Sequence, residues 1–254
     1  MLSSVYFYHP RWPVIFEDNH LLALFKPAGL LAQGDRSGAV SLLELAKGWL
    51  KERHAKPGRV FLGLVHRLDR PVAGVMLFAR TSKAAARLSA QFRCGTIQKT
   101  YLAVVEGTPD PSKGNLSNHI ERQRLSCRIL SEPTSRSREA RLRYRLIDST
   151  RNRSLLQVAP ETGRRHQIRL QLSHAGHAIV GDVRYGAVSS LKDRQIALLA
   201  REIIVMHPTL NTPLRLACPL PAGWPWPAAP AKVPAPFWNY DDFIRAGDGF
   251  SPPA

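Results

Sequence analysis

The sequence predicts an α+β fold with a mainly antiparallel, mixed central sheet and flanking helices and loops. Segments with strand character outnumber helical ones, and several follow one another without an intervening helix. One of them alternates between apolar and basic residues, as a sheet with one solvated face does. These observations disfavour a doubly wound parallel sheet. The 254 residues, 44% of them hydrophobic, suffice for a proper core.

The first predicted elements form a hairpin. Two β-prone runs, residues 14–16 and 20–25, flank Asp18-Asn19, and Lys26-Pro27-Ala28-Gly29 closes the pair.

Two helices are predicted from their ends. Ser41 and Glu44 form a capping box that starts the first helix. Ser82 is expected to cap the second, which Gly95 ends, with apolar positions that include Ala86.

Buried strands are predicted at 60–65 and 75–79, on either side of the polar segment 66–70, and another strand at 97–106. The middle of the chain reads as irregular up to Glu139.

The alternating segment Glu139–Ile147 predicts a strand with an apolar face and a cationic face. A strand at 154–158 follows, and then a helix from about Arg164 to His174, ended by Gly176. The apolar run 196–205 is compatible with strand or helix.

Three regions are expected: an N-terminal extension (1–13), one domain carrying the chemistry (14–218) and a C-terminal segment rich in proline and aromatic residues (219–254). The prolines forbid regular structure in the last. Its aromatic rings favour an extended segment held against the domain, and a disordered tail is the alternative.

The formal charge of +17 favours a polyanionic partner, either nucleic acid or an anionic membrane, over a basic surface kept for solubility. Three scattered cysteines do not form a disulfide framework, and neither a signal peptide nor an apolar run of membrane-spanning length is evident. We therefore expect a cytoplasmic protein, or one of an organelle matrix if the source is eukaryotic.

Two polar clusters are candidates for chemistry. In the first, Asp69 lies between Arg67 and Arg70, which should keep its carboxylate ionised. Such a group can be a nucleophile, a base, a metal ligand or one half of a structural ion pair. The second, Thr162 to Arg169, is either an anion site at a helix start or a solvated basic helix.

Other reaction classes have little support. His166, His174 and His177 lie close in sequence without the companion ligands of a zinc site. The sequence has no serine-hydrolase elbow, Walker loop or dinucleotide fingerprint.

Three stretches carry a resemblance to the RluA-type pseudouridine synthases. Residues 65–74, VHRLDRPVAG, resemble the family's H-R-L-D-x-x-T-S-G signature, and residues 98–107 resemble its K-x-Y-x-A-x-V-x-G strand. Residues 162–169, with 181–182 and 185–186, resemble its T-G-R-x-H-Q-I-R…G-D-x-x-Y-G segment. Ordered agreement at three motifs is very unlikely to arise by chance.

The likeness extends over about residues 14–220 and includes residues 17–29. Three departures lie outside the matched catalytic positions: Val72-Ala73 replaces Thr-Ser, Gln171 replaces His, and Ala178 replaces Pro. The chain resembles a short form of the family, without the N-terminal RNA-binding domain of some relatives.

The resemblance implies the pseudouridine synthase catalytic fold and isomerisation of uridine to pseudouridine in RNA, with no cofactor and no metal. Asp69 matches the catalytic aspartate, Arg169 the basic residue that pairs with it, and Tyr101 the tyrosine beside the target base. Ile168 matches an apolar wall, and Arg67 the residue that fills the stack after the base is flipped out.

The expected partner is an rRNA or tRNA stem-loop, bound by a monomer. The predicted RNA contacts are His66, Arg67, Arg164, His166, Gln167, Ile168, Arg141, Arg143 and Arg145. Two alternatives stay open: an RNA-binding or ribosome-assembly protein without turnover, and, far behind, a metal-dependent hydrolase using His66 and Asp69.

Overall fold

The structure, a computed structural model, describes residues 14–124, 126–192, 195–221 and 223–226. The chain forms two compact units. The described part of the first comprises residues 14–97, 202–221 and 223; that of the second comprises 98–124, 126–192, 195–201 and 224–226.

The described residues form eleven strands and three α-helices. In chain order these are β1 (Val14–Glu17), β2 (Leu21–Lys26), α1 (Leu42–Arg53), β3 (Gly63–Leu64), β4 (Ala73–Ala79), α2 (Ser82–Cys94), β5 (Gln98–Glu106), β6 (Lys113–Arg122), β7 (Cys127–Leu130), β8 (Ser137–Ser149), β9 (Arg153–Pro160), α3 (Gln167–His174), β10 (Leu198–Met206) and β11 (Pro213–Ala217). The strand pairs within the units are antiparallel, which confirms the predicted α+β class.

The first unit is built around the predicted hairpin. β1 pairs with β2, and β2 pairs with β4 from Leu21 opposite Ala79 to Lys26 opposite Gly74. All residues of β2 and β4 are buried, which explains their nearly continuous apolar sequences. The register brings the end of β2 beside the segment that leads into β4.

Both helices of the first unit begin with a side-chain cap, which for α1 is the expected residue and for α2 is not. Ser41 and Glu44 form the capping box of α1. Thr81, one residue before the predicted position, caps α2 by accepting a hydrogen bond from the Ala84 amide. Gly95 ends α2 with φ +70°, as predicted. Ala84 is buried in this helix, whereas Ala86 is exposed, contrary to prediction.

The strand predicted at 60–65 is wrong for most of its length. Only Gly63 and Leu64 pair with β4, and Phe61 is 51% exposed. The apolar run therefore reflects a short edge segment instead of a buried strand.

The second unit contains strands in the order β5-β9-β8-β6-β7. In β8 the predicted alternation is confirmed: Ala140 and Leu142 are buried while Arg141, Arg143 and Arg145 are exposed. The irregular middle predicted for the chain is wrong, because β6 and β7 lie there. Two inward positions of β6 are Gly114 and Asn118, which hid its apolar pattern.

The predicted helix 164–174 begins only at Gln167. His166 has φ +55°, in the left-handed region, and cannot continue a right-handed helix. The run 196–205 is a strand, β10, whose residues 202–206 pair with β11 in the first unit.

The predicted extension 1–13 and residues 227–254 of the C-terminal segment lie outside the described residues. Within that segment, Trp226 is described and buried. In the described ranges, helices of membrane-spanning length and apolarity are absent.

Candidate active site

Asp69 lies in the connection between β3 and β4 and is half-buried. Leu68 and Val72 are buried on either side, and the Val72 amide donates to the Asp69 carbonyl at 3.0 Å. Apolar anchors and a tight turn therefore fix the backbone at Asp69.

A buried lysine links this segment to the end of β2. Lys26 is fully buried, and its Nζ donates to the carbonyl oxygens of Pro27 (2.9 Å), Leu30 (2.8 Å) and Arg70 (3.2 Å). The Gly29 amide donates to the Arg70 carbonyl at 2.7 Å, and Arg70 Nε donates to the Gly29 carbonyl at 2.8 Å. The segment carrying Asp69 is thus held on its side toward β2.

The charge of Lys26 interacts with that of Asp69. Burial lowers the pKa of Lys26 to about 7, the Asp69 carboxylate acts to raise it, and the Arg70 guanidinium acts to lower it. Sequence reasoning treated Lys26 as the close of a hairpin. The feature of the sequence that could have indicated a further role for Lys26 is its position, as a lysine at the end of an otherwise apolar strand.

His66 is engaged with the scaffold. Its Nε2 accepts a hydrogen bond from the Leu77 amide at 2.9 Å, and its ring stacks on Phe92 with centroids 4.9 Å apart. Arg67 is exposed. Their roles as RNA contacts stay predictions. Across the described parts of the chain, His, Cys, Asp and Glu side chains form no cluster of three that could hold a metal ion.

In the second unit, Tyr101 of β5 is half-buried and pairs opposite Val158. Two residues before it, Lys99 donates to the Thr162 carbonyl at 3.2 Å, and burial lowers the pKa of this lysine. The second and third family motifs therefore meet in this unit.

Arg169 is buried and forms a bidentate ion pair. Its Nε and Nη2 donate to the two carboxylate oxygens of Asp182 at 2.6 and 2.8 Å. The guanidinium also lies 5.0 Å from the centre of the Tyr185 ring. Asp182 was not assigned a role from sequence, although it stands in the third motif. The predicted pairing of Arg169 with Asp69 stays a prediction.

Tyr185 connects several parts of the second unit. Its hydroxyl lies 2.6 Å from His166 Nδ1 and accepts from the Cys127 amide at 3.3 Å. Burial raises the pKa of Tyr185. His166, itself buried, is therefore bonded to the scaffold through this hydroxyl.

Gln167 organises the turn before α3. Its Oε1 accepts from the Thr162 hydroxyl at 2.7 Å and from the Arg164 amide at 2.9 Å, and its Nε2 donates to the Arg141 carbonyl at 2.9 Å. The neighbouring Ile168 is buried. The amide that was predicted to contact RNA thus shapes the loop.

The exposed arginines of β8 are partly compensated. Arg141 pairs with Glu139 at 2.8 Å and with Glu161 at 3.3 Å, and Arg143 pairs with Glu161 at 3.3 Å. Arg145 bonds to the neutral Gln157. Of these three arginines, Arg145 is the one with no carboxylate partner among the described residues.

The predicted site residues fall into two groups. Asp69, His66 and Arg67 belong to the first unit, and Tyr101, Arg169 and the other predicted contacts belong to the second.

Comparison with known proteins confirms the resemblance to the family. A family model described as RNA pseudouridylate synthase matches residues 20–174, more than half of the chain. This range includes Asp69, Tyr101 and Arg169.

Similar curated proteins carry related names. Ribosomal large subunit pseudouridine synthase C from Vibrio cholerae is 32% identical over 218 residues, which cover 82% of this chain and 66% of that protein. The uncharacterized RNA pseudouridine synthase YhcT from Bacillus subtilis is 33% identical over 221 residues, covering 87% and 72%. The chain thus spans about two thirds of the length of these relatives.

Solved structures show the same fold. The human RNA Pseudouridylate Synthase Domain Containing 4 has a TM-score of 0.70 and 26% identity, with 82% of this chain and 88% of that chain covered. The human RNA Pseudouridylate Synthase Domain Containing 1 has a TM-score of 0.66 at 21% identity, covering 97% and 99%.

Proposed function

Because the chain belongs to the RNA pseudouridylate synthase family, we propose that it isomerises uridine to pseudouridine within RNA. The observation that carries the proposal is the family-model match to residues 20–174. Within that range, Asp69 stands in the H-R-L-D stretch that resembles the family's signature, in a segment held by hydrogen bonds of Lys26 and Arg70. A backbone held in this way limits the rearrangement that Asp69 needs when substrate binds.

The reaction breaks the bond between N1 of uracil and C1′ of ribose, turns the base, and joins C5 to C1′. The proton on C5 leaves to water and N1 gains one, so atoms and electrons balance without a cofactor. Asp69 acts in its ionised form, whether it attacks the sugar, attacks the base or removes a sugar proton. Lys26, when protonated, places a positive charge that attracts the Asp69 carboxylate.

The uridine must leave its stack to react, at roughly a few kcal/mol. Arg67 is exposed beside Asp69 and is suited to take the vacated position. In the second unit, Tyr101 supplies a ring for the flipped base and Ile168 an apolar surface. Arg169, held by Asp182, supplies a fixed cation to pair with Asp69.

Ribosomal RNA is the proposed substrate class, since similar proteins from Vibrio cholerae and Zymomonas mobilis are named ribosomal large subunit pseudouridine synthases. Transfer RNA is the second substrate expected from sequence. We place the reaction in the cytoplasm, carried out by a monomer.

Mapping pseudouridines in rRNA and tRNA tests the function in cells. We expect deletion of the gene to remove pseudouridine at defined rRNA positions, and the wild-type gene to restore it. A gene encoding Asp69→Asn, expressed to the same level, should fail to restore it.

Restoration by the Asp69→Asn protein would exclude Asp69 as the catalytic residue. A deletion strain with every pseudouridine intact would contradict the proposed function and favour an RNA-binding protein without turnover.

A further inference from the structure

The arginines of β8 lie on the opposite side of their sheet from Tyr101. Tyr101 pairs opposite Val158, and Val158 pairs opposite Tyr144, so these three side chains share a face. Arg143 and Arg145 flank Tyr144 in the same strand. Because successive residues point to opposite faces, the arginines project away from the face that carries Tyr101.

The neighbouring strand, β6, extends the face of the sheet that carries these arginines. Directly paired residues share a face, and β6 places polar or basic residues opposite each arginine. We call the following six exposed residues the basic face: Arg141, Arg143 and Arg145 of β8, with Ser117, Asn115 and Lys113 opposite them on β6.

One end of the basic face holds two cations in direct opposition. Lys113 pairs opposite Arg145, and in the described ranges neither side chain forms an ion pair with a carboxylate. Like charges directly opposite each other destabilise a sheet. An anion bound between them would relieve that repulsion.

The chemistry of the basic face suits a sugar–phosphate backbone. Alternate arginines on one strand lie about 7 Å apart, a spacing comparable to that of successive phosphates along an RNA strand. Arg, Lys, Asn and Ser are side chains that bond to phosphate and sugar oxygens. These residues offer no aromatic ring for stacking, so the surface is fitted to hold backbone and not to read bases.

We propose that the basic face is a second RNA-contact surface, which holds the phosphate backbone of a structured RNA on the side of the sheet away from Tyr101. This inference rests on the proposed function and narrows the substrate to an RNA that reaches both faces of the sheet. A minimal stem-loop would engage only one.

Salt-dependent binding tests the proposal. The probe is a labelled RNA duplex of roughly 16 base pairs, the length that a small double-stranded-RNA-binding domain spans. In the full-length protein, Lys113→Gln with Arg145→Gln should weaken binding about tenfold. It should also lower the slope of log Kd against log salt by roughly 1.8, for two lost phosphate contacts.

A matched variant controls for net charge. Lys51→Gln with Lys56→Gln removes the same two charges from exposed positions in the first unit and should leave the slope unchanged. Glu161→Gln should have the opposite effect, tighter binding and a steeper slope, because it releases Arg141 and Arg143 from a carboxylate.

Equal slopes for wild type and the Lys113/Arg145 variant would overturn the proposal. The proposal would also be overturned if the Lys113/Arg145 variant bound the RNA duplex like wild type and lost binding only to vesicles containing phosphatidylserine. The duplex assay requires no turnover. If the salt slopes are as expected but the protein makes no pseudouridine, the proposed function is refuted while the basic face remains supported as an RNA-contact surface.

Discussion

Lys26 is a cation enclosed at the end of an apolar strand. Its three hydrogen bonds to backbone carbonyls match the three N–H donors of an ammonium group, whereas a neutral amine would leave one carbonyl unmatched. Burial opposes this charge and lowers the pKa to about 7. The charge beside Asp69 therefore changes near neutral pH.

Stability should depend on pH through Lys26. The pKa is about 7 in the folded protein against 10.5 ordinarily, so the unfolded chain holds more protons between these values. The free energy of unfolding should therefore rise with pH above 7, by at most about 1.4 kcal/mol per unit from this group. Urea unfolding at pH 7, 8 and 9 should show this rise in wild type relative to Lys26→Met. Parallel pH profiles for the two proteins would contradict it.

The sequence predicted Asp69 as the catalytic residue but did not predict the contacts that hold its segment. Asp69 stands within a contiguous motif, H-R-L-D, which a reader of one sequence can recognise. Lys26 reaches the same segment through the Arg70 carbonyl oxygen and donates also to the carbonyls of Pro27 and Leu30. Contacts to backbone carbonyls leave no trace in residue type. Likewise, Gln167 and His166 have polar side chains suited to RNA, yet each is bonded to the scaffold.

At the scale of elements, the segment after α3 positions the partner of Arg169. Gly181 has φ +89°, and a Cβ there would lie 2.7 Å from the Gln195 carbonyl oxygen and 2.8 Å from Leu191 Cγ. The chain turns here immediately before Asp182. Backbone conformation and close packing thus explain the glycine of the third motif's Gly-Asp pair, and the ion pair with Arg169 explains the aspartate.

Gly181→Ala should destabilise the protein more than Gly176→Ala. Gly176, after α3, also has a positive φ, of +86°, but a Cβ there meets nothing within 4 Å. Left-handed strain alone costs about 1–2 kcal/mol, and the clash at Gly181 adds about 1–3 kcal/mol. Chemical unfolding measures both; equal losses would mean that packing at Gly181 is unimportant.

Elements with strong local signals were predictable, and those shaped by tertiary contacts were not. The capping box at Ser41 and the alternation in β8 are local patterns, and both are confirmed. β6 was missed because its inward face includes Gly114, covered by the Tyr144 ring, and Asn118, which accepts from the Gln171 amide. Such cross-strand compensation is visible only once the register is known.

At the scale of the whole molecule, composition predicted the class of partner, a polyanion, but not which faces of the protein would contact it. A net charge of +17 favours a polyanion. It does not say that the arginines of β8 lie on a different face from Tyr101, because that follows from strand register. The sequence separated them by role, with Tyr101 at the target base and the arginines as RNA contacts, but it gave them no relative position.

The release of tritium from RNA labelled at C5 of uridine tests the central claim most directly, since the isomerisation displaces that hydrogen when C5 bonds to the ribose. We predict release from ribosomal RNA by wild type and none above background by Asp69→Asn, with RNA binding by the variant retained. Undiminished release by Asp69→Asn would contradict the account.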